Sequence, residues 1–142
     1  MDLLYVPDTS VIIRWAYQTD EPVEQDRALD LLHLWLEGGC EFLLPSLWAH
    51  EIGSCILRKS PTRAAELMEL FIGFRFSEVK NTPELCHEAM TLAERYGVDY
   101  YSAVYHAVAQ RCGGTLITAD TRYYKKARGA GRIILLKDLS TS

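Results

Sequence analysis

Short apolar runs alternate with longer amphipathic segments along the chain, and this alternation constrains the fold more than any other feature. The runs are bounded by proline, glycine or aspartate and are too short for helices, which is typical of buried strands. Strands are expected at 3–6, 42–44, 74–79, 116–118 and 133–136. The segments between them repeat apolar residues at helical spacing, for example at Ala28, Leu31, Leu32 and Trp35, which predicts helices with one packed face.

Start and stop signals mark the expected helices. Ser46, Ser60-Pro61, Thr82-Pro83 and Asp99 are capping residues that begin helices, and glycines end several of them. Helices are therefore expected at about 10–17, 23–36, 46–58, 60–72, 82–96, 99–113 and 121–128. Strands that alternate with helices predict an α/β sandwich around a mostly parallel sheet. In such sheets, ligands bind at the carboxyl ends of the strands, where the strand order reverses.

Length and composition predict one globular domain over residues 1–142, since 49% of the side chains are apolar and 24% are charged. No apolar run reaches the roughly 20 residues of a membrane helix, and the N-terminus lacks a basic region. Neither membrane insertion nor secretion is expected. The four cysteines form no CxxC pair, so we expect reduced thiols in a cytoplasmic protein rather than zinc ligands or disulfides.

Acidic residues follow the predicted strands. Asp8 comes directly after the first strand, Asp120 follows the strand at 116–118, and Glu51 lies about one turn into the helix after the second strand. Asp99 begins the helix that precedes the strand at 116–118. Carboxylates brought together without basic partners repel one another, and Mg²⁺ or Mn²⁺ prefers such oxygen ligands. Each acid taken alone is equally explained as a helix cap or a surface charge.

Three further polar side chains are candidates near these acids. The Ser10 hydroxyl can bond a neighbouring carboxylate and orient it, or it caps the first helix. Thr118 is either a similar supporting residue or a packed strand residue. His106 lies one turn beyond position 102 and is a weaker candidate for the cleft.

A basic strip lies near the C-terminus. Residues 121–142 hold six basic side chains and one acidic one, whereas the rest of the chain has nine basic and eighteen acidic groups. A local basic patch on an acidic protein suits a phosphate backbone, although a solvated helix face has the same composition. The candidates for binding such a backbone are Arg122, Lys125, Lys126 and Arg128.

These local sequences resemble the PIN-domain family, and within it the small VapC-type toxins of toxin–antitoxin pairs. The resemblance rests on Asp8-Thr9-Ser10 after a strand, on Pro45 with Glu51, on the segment from Tyr96 to Ala107, and on Thr118-Ala119-Asp120 followed by Arg122-Tyr123-Tyr124. It implies a three-layer α/β/α sandwich and a metal-dependent endoribonuclease. It also implies a homodimer and a VapB-like antitoxin as partner. Asp8, Glu51 and Asp120 would then hold one or two Mg²⁺ or Mn²⁺ ions.

One position departs from the family pattern. The family has Tyr-Asp-Ala eighteen residues before the aspartate of Thr-Ala-Asp, and this chain has Tyr101-Ser102-Ala103 there. A serine hydroxyl is a neutral and poor Mg²⁺ ligand. Three alternatives remain open: Asp99 supplies the missing carboxylate from one turn away, the protein is a natural nuclease of reduced activity, or the serine is an engineered replacement.

Two other functions are compatible with parts of the sequence. A non-catalytic PIN-like scaffold that binds RNA or an antitoxin would need no complete acid set. A phosphatase with Asp8 as nucleophile would need a DxD pattern, but Ser10 occupies the second position. The chain also lacks the glycine-rich phosphate loops of nucleotide-binding proteins.

Overall fold

A five-stranded parallel sheet forms the centre of the structure. The computed structural model describes residues 3–141; Met1, Asp2 and Ser142 of the expected 1–142 domain lie outside that range. The strands run in the order β3-β2-β1-β4-β5, and every neighbouring pair is parallel. Their bounds are β1 Leu4–Pro7, β2 Glu41–Pro45, β3 Ser77–Val79, β4 Thr115–Thr118 and β5 Ile133–Leu135.

Helices cover both faces of this sheet. Successive strand residues point to opposite faces, and the neighbours Tyr5 and Val6 in β1 are both buried. The fold is therefore the expected three-layer α/β/α sandwich. The helices are α1 Thr9–Ile12, α2 Pro22–Leu36, α3 Trp48–Lys59, α4 Ala64–Gly73, α5 Pro83–Tyr96, α6 Tyr100–Cys112 and α7 Thr121–Ala127, with 3-10 turns at Ile13–Trp15, Arg128–Ala130 and Leu136–Asp138.

Strand β1 lies at the centre, and the strand order reverses beside it. The chain first moves outward to β2 and β3 on one side, and then returns to place β4 and β5 on the other side. Pro7 pairs with Ile117 near the carboxyl ends of β1 and β4. Parallel sheets open a crevice at such a reversal, so this edge is where a site is expected.

The core has two parts of different character. Helix α6 packs on β1, β2 and β4, and its residues 103–109 are all buried. On the other half of the sheet, Trp15 and Trp35 both stack on Phe42, with ring centroids 5.6 and 5.4 Å apart. Trp48 is almost fully buried and contacts Phe76 edge-on. Trp48 therefore belongs to the core, and Trp15 and Trp35 are partly buried side chains that pack against it.

Several helix signals were predicted correctly. Thr82 caps α5 by accepting from the backbone N–H of Leu85, and Gly97 ends that helix with a left-handed conformation. Asp99 caps α6, and Gly113 ends it in the same way as Gly97 ends α5. These residues act through local backbone geometry, which a sequence pattern captures.

Other boundaries were wrong. The first helix ends at Ile12 and continues only as a 3-10 turn, rather than running from 10 to 17. Helix α3 begins at Trp48 without a side-chain cap, and its N-cap residue is Leu47 rather than Ser46. The backbone N–H of Ser46 instead bonds to Val79 O and extends the contact between β2 and β3. Helix α4 begins at Ala64 rather than at Ser60-Pro61.

The third strand is also shorter than predicted. It begins at Ser77 instead of 74, because the last turn of α4 continues through Phe74 and Arg75, whose N–H groups bond to Phe71 O and Ile72 O. Arg75 then takes a positive φ of 56°, a conformation that a strand does not allow.

Two expectations about the whole chain can be compared with the described residues. Cys40, Cys55, Cys86 and Cys112 are all free thiols. Within residues 3–141, no helix is both long enough and apolar enough to cross a membrane.

Candidate functional site

Asp8 and Asp120 lie at the carboxyl ends of two neighbouring strands. Asp8 follows β1 directly and caps α1, while Asp120 follows β4 and caps α7. The backbone N–H of Asp8 bonds to Ile117 O at 3.1 Å, which ties the two strand ends together. Both acids therefore stand at the edge where the strand order reverses. Asp8 is 6% exposed, whereas Asp120 is exposed to solvent.

Ser10 connects the two strand ends. Its hydroxyl donates to the carboxylate of Asp8 and accepts a 2.8 Å hydrogen bond from the backbone N–H of Ala119. Thr118, which is fully buried, lies 3.4 Å from the same hydroxyl through its Oγ1 and accepts from the N–H of Asp120 at 3.1 Å. Ser10 and Thr118 thus fix the loops that carry Asp8 and Asp120. The cap of α1 is Asp8 rather than Ser10.

Glu51 reaches the same region from α3. It is the fourth residue of that helix and is only partly exposed. Its Oε1 accepts a 2.8 Å hydrogen bond from the hydroxyl of Tyr105, a buried residue of α6. The sequence analysis did not find Tyr105, because 54 positions separate the two residues and no local pattern marks the contact.

Asp99 and Ser102 share the first turn of α6. The Oδ2 of Asp99 accepts from the backbone N–H of Ser102 at 3.1 Å and lies 3.5 Å from the Ser102 hydroxyl. Both residues line a cleft of about 290 Å³, which they share with Asp120, Arg122, Tyr123 and Lys126, together with Gly97 and Val98. The structure therefore brings Asp99, Ser102 and Asp120 to one cleft.

The predicted basic strip is divided by the structure. Arg122 and Lys126 line the cleft beside Asp120, and Lys126 Nζ donates to Gly97 O at 3.2 Å. Lys125 and Arg128 are exposed and do not line it. A larger groove of about 740 Å³ lies between α5, Gln110 of α6 and the pair Gly129 and Ala130, and none of the predicted site residues lines it.

The electrostatics of the site are those of a cluster of like charges. Burial raises the pKa of Asp8, although hydrogen bonds from Ser10 and Thr118 partly oppose this. Burial also raises the pKa of Glu51; the Tyr105 hydrogen bond lowers it, and the charges of Asp8 and Asp99 raise it again. The salt bridges within residues 3–141 involve Arg14, Arg27 and Arg111, none of them bonded to a site acid.

The pKa values of two tyrosines near the acids, Tyr105 and Tyr123, are raised. Burial, followed by the charge and hydrogen bond of Glu51, raises the pKa of Tyr105 far above its ordinary value. Burial also raises the pKa of Tyr123, with smaller contributions from Asp8, Asp120 and Asp99. The same three acids therefore act on one tyrosine from three different elements, which places them in one electrostatic environment.

The donor atoms, but not their spacing in this structure, suit a hard divalent cation. Asp8, Glu51 and Asp120 offer only carboxylate oxygens; burial raises the pKa values of Asp8 and Glu51, and the charges of Asp8 and Asp99 further raise that of Glu51. Such oxygens are the ligands that Mg²⁺ and Mn²⁺ prefer. No three His, Cys, Asp or Glu side chains within residues 3–141 are grouped closely enough to hold a metal ion together.

His106 does not face the cleft. It is fully buried, with Nε2 2.7 Å from Gly131 O and Nδ1 2.8 Å from the Tyr123 hydroxyl. A carbonyl can only accept, so Nε2 carries the proton and Nδ1 accepts from Tyr123. Burial lowers the pKa of His106, and the neutral ring is a structural link between α6 and α7.

Comparison with known proteins gives consistent results. Residues 5–129 match the PIN domain family. Ribonuclease VapC3 of Pyrobaculum aerophilum is 28% identical over 123 residues, which cover 87% of this chain and 86% of that protein. A toxin–antitoxin complex from Klebsiella pneumoniae has a TM-score of 0.67 at 17% identity, covering 95% of this chain and 98% of the other.

A further solved structure has the same fold. VapC20 of Mycobacterium tuberculosis, described as a toxin that cleaves the sarcin-ricin loop, has a TM-score of 0.62 at 18% identity. It covers 82% of this chain, which in turn covers 87% of that protein.

Proposed function

The chain belongs to the PIN domain family, and from that premise we propose that it is a metal-dependent endoribonuclease of the VapC toxin type. The observation that carries the proposal is the position of Asp8 and Asp120 at the ends of two adjacent parallel strands, with the charge of Asp8 acting on Glu51 and no ion-pair partner for these acids in residues 3–141. The ribonuclease name of the Pyrobaculum relative supports RNA as the substrate.

Asp8, Glu51 and Asp120 are the residues that would hold one or two Mg²⁺ or Mn²⁺ ions. When bound, such a cation stabilises negative charge that develops on a phosphate and lowers the pKa of water. Ser10 and Thr118 hold the loops of Asp8 and Asp120 in place. Position 102, with Asp99 one turn earlier, would complete the acid set in an active form.

Arg122 and Lys126 give the cleft its affinity for a phosphate backbone. They line the same cleft as Asp120, so an RNA strand bound by these cations would pass directly beside the acids. Lys125 and Arg128 are exposed on or next to the same short helix and would extend the contact along the strand.

An antitoxin and a second copy of the chain are the proposed partners. The Klebsiella structure is a toxin–antitoxin complex, which supports a VapB-like antitoxin. Leu29 and Leu36 of α2 and Leu70 and Ile72 of α4 are large apolar residues that are exposed, which supports a homodimer. A cytoplasmic location follows from an RNA substrate and four free thiols.

A non-catalytic scaffold is the second candidate function. Ser102 at the position of the family aspartate favours it, because the cleft then lacks one carboxylate. The two functions differ in metal dependence. A scaffold binds RNA or antitoxin equally well with Mn²⁺ and with chelator.

Cleavage of small structured RNAs by the wild-type protein and by Ser102→Asp, with Mn²⁺ and with chelator, tests the proposal. We expect cleavage that requires the metal and is faster in the variant. Cleavage by neither protein, together with metal-independent RNA binding, would favour the scaffold.

A further inference from the structure

Tyr105 makes a buried hydrogen bond with Glu51, and the proposed function assigns no role to this bond. Its side chain is 1% exposed, and its hydroxyl lies 2.8 Å from Glu51 Oε1. The two residues come from different helices, Tyr105 from α6 and Glu51 from α3. The contact therefore fixes a side chain of one helix against the other, at the edge of the sheet that carries Asp8.

The direction of this hydrogen bond is determined by the chemistry of its partners. Burial and the Glu51 charge keep the Tyr105 hydroxyl protonated, so it donates, and the carboxylate accepts. The bond engages Oε1 and limits rotation of the carboxylate. Within residues 3–141 no hydrogen bond engages Oε2, which is therefore open to another ligand.

Helix α6 therefore contributes two side chains to the site, one at the surface of the cleft and one in the protein interior. Ser102 lines the cleft near its surface, and Tyr105, three positions later on the same helical face, reaches the buried side of Glu51. Helix α6 thus places the Ser102 hydroxyl in the cleft and the Tyr105 hydroxyl against the carboxylate of Glu51.

We propose that Tyr105 is a positioning residue for metal binding: it holds the Glu51 carboxylate through Oε1 so that Oε2 is available to a divalent cation. This inference rests on the proposed function. Groups that bond to a metal ligand fix its orientation, and their removal typically weakens metal affinity by about 10- to 100-fold.

Calorimetric titration with Mn²⁺ in the absence of RNA tests the proposal. Tyr105→Phe keeps the ring and removes only the hydroxyl, and we expect about tenfold weaker Mn²⁺ binding or more. Tyr17→Phe is the matched control, because the Tyr17 hydroxyl bonds to Ser60 Oγ at 3.0 Å, away from the site acids. We expect its Mn²⁺ affinity to equal that of the wild type. Thermal unfolding shows that each variant is folded.

A double-mutant cycle separates positioning from a purely structural role. In a Glu51→Gln background the carboxylate ligand is already lost, so Tyr105→Phe should weaken Mn²⁺ binding no further. Equal losses in both backgrounds, or an unchanged affinity in Tyr105→Phe alone, would overturn the role of Tyr105 while leaving the metal site intact. A wild-type protein that binds no Mn²⁺ would overturn both this role and the proposed metal dependence.

Discussion

The carboxylate of Asp99 accepts a hydrogen bond from the backbone N–H of Ser102, with 3.1 Å between Oδ2 and N. Both side chains line the same cleft as Asp120. One oxygen of Asp99 is thus engaged in capping α6, while Ser102 occupies the position at which the family pattern has a carboxylate. Whether Asp99 replaces that carboxylate is decided by two substitutions with opposite expected results.

Ser102→Asp should restore the missing ligand. We expect Mn²⁺ affinity to rise by about tenfold, equivalent to ~1.4 kcal/mol, and RNA cleavage to become faster. The new carboxylate lies in the first turn of α6, where the helix dipole stabilises an anion by about 0.3–1 kcal/mol, so the fold should be retained. Calorimetry and a cleavage assay check this. No change in either quantity would mean that the site already has its full acid set.

Asp99→Asn should leave activity nearly unchanged. Asparagine caps a helix about as well as aspartate does, so α6 should remain intact, and only the negative charge is removed. Cleavage in Mn²⁺ is the measurement, and Asp26→Asn, which changes an exposed residue of α2, is the control. Abolished activity in Asp99→Asn alone would assign the fourth ligand to Asp99.

Asp8→Asn should weaken Mn²⁺ binding by at least about tenfold without unfolding the protein. Asparagine preserves the cap of α1, and the loss of a buried charge near Glu51 removes repulsion from the metal-free fold. We therefore expect a melting temperature, measured with chelator, that is equal to or above that of the wild type. A large fall in melting temperature would indicate that Asp8 is principally a structural residue.

Stability of the metal-free protein should fall as pH rises. Burial raises the pKa values of Asp8 and Glu51 above the ordinary 3.8 and 4.5. In the window above those values the folded protein binds more protons than the unfolded chain, so the free energy of unfolding decreases with pH. Thermal unfolding across this window with chelator measures the effect. Saturating Mn²⁺ should reduce the fall, because the metal binds the ionised carboxylates, and Asp8→Asn should flatten it.

Arg122 and Lys126 should contribute more to RNA binding than Lys125 and Arg128 do, because only the first pair lines the cleft. Changing Arg122 and Lys126 to Gln should lower the salt slope for single-stranded RNA by about 1.4, at about 0.7 per lost phosphate contact. Filter binding over a range of salt concentrations is the measurement. Arg58→Gln with Arg63→Gln removes two exposed cations elsewhere and serves as the control. The pair Lys125 and Arg128 is changed to Gln in the same way. If all three double variants lower the salt slope equally, the prediction that RNA follows the cleft is contradicted.

The chain should form a homodimer at micromolar concentration. Leu70 is 59% exposed and Ile72 is 52% exposed on α4, and burial of such residues between two copies is favourable. Light scattering should give about twice the 16.1 kDa chain mass. Leu70→Lys should shift the distribution towards the monomer, whereas Leu57→Lys tests whether any exposed leucine has the same effect. A monomeric wild-type protein would contradict the prediction.

The fold was predictable because its main signals are local. Strand-ending prolines, Thr82 and Asp99 at helix starts, and Gly97 and Gly113 at helix ends all act within a few residues. The alternation of strands and helices then determines a parallel sheet. The acids at the strand ends were predictable for the same reason, since their position follows from the strand boundaries.

Some errors arose where contacts between distant segments override local preference, whereas the wrong start of β3 comes from the local turn at Phe74 and Arg75. Ser60 and Pro61 form a helix-start pattern, yet the Ser60 hydroxyl accepts from Tyr17 and α4 begins four residues later. Ser46 was expected to cap α3, but its N–H bonds to Val79 of the neighbouring strand. The contact between Tyr105 and Glu51 likewise joins distant parts of the chain. None of these pairings leaves a local sequence signal.

The central position of β1 has a consequence for synthesis of the protein. Tyr5 pairs with Thr115, so β1 cannot complete its pairing until β4 has emerged from the ribosome. Domains generally fold as units during translation, and contacts between such distant segments form late. A nascent chain therefore carries Asp8 without Asp120 until the segment that contains β4 has been synthesised, and the two acids can reach the same sheet edge only after that point.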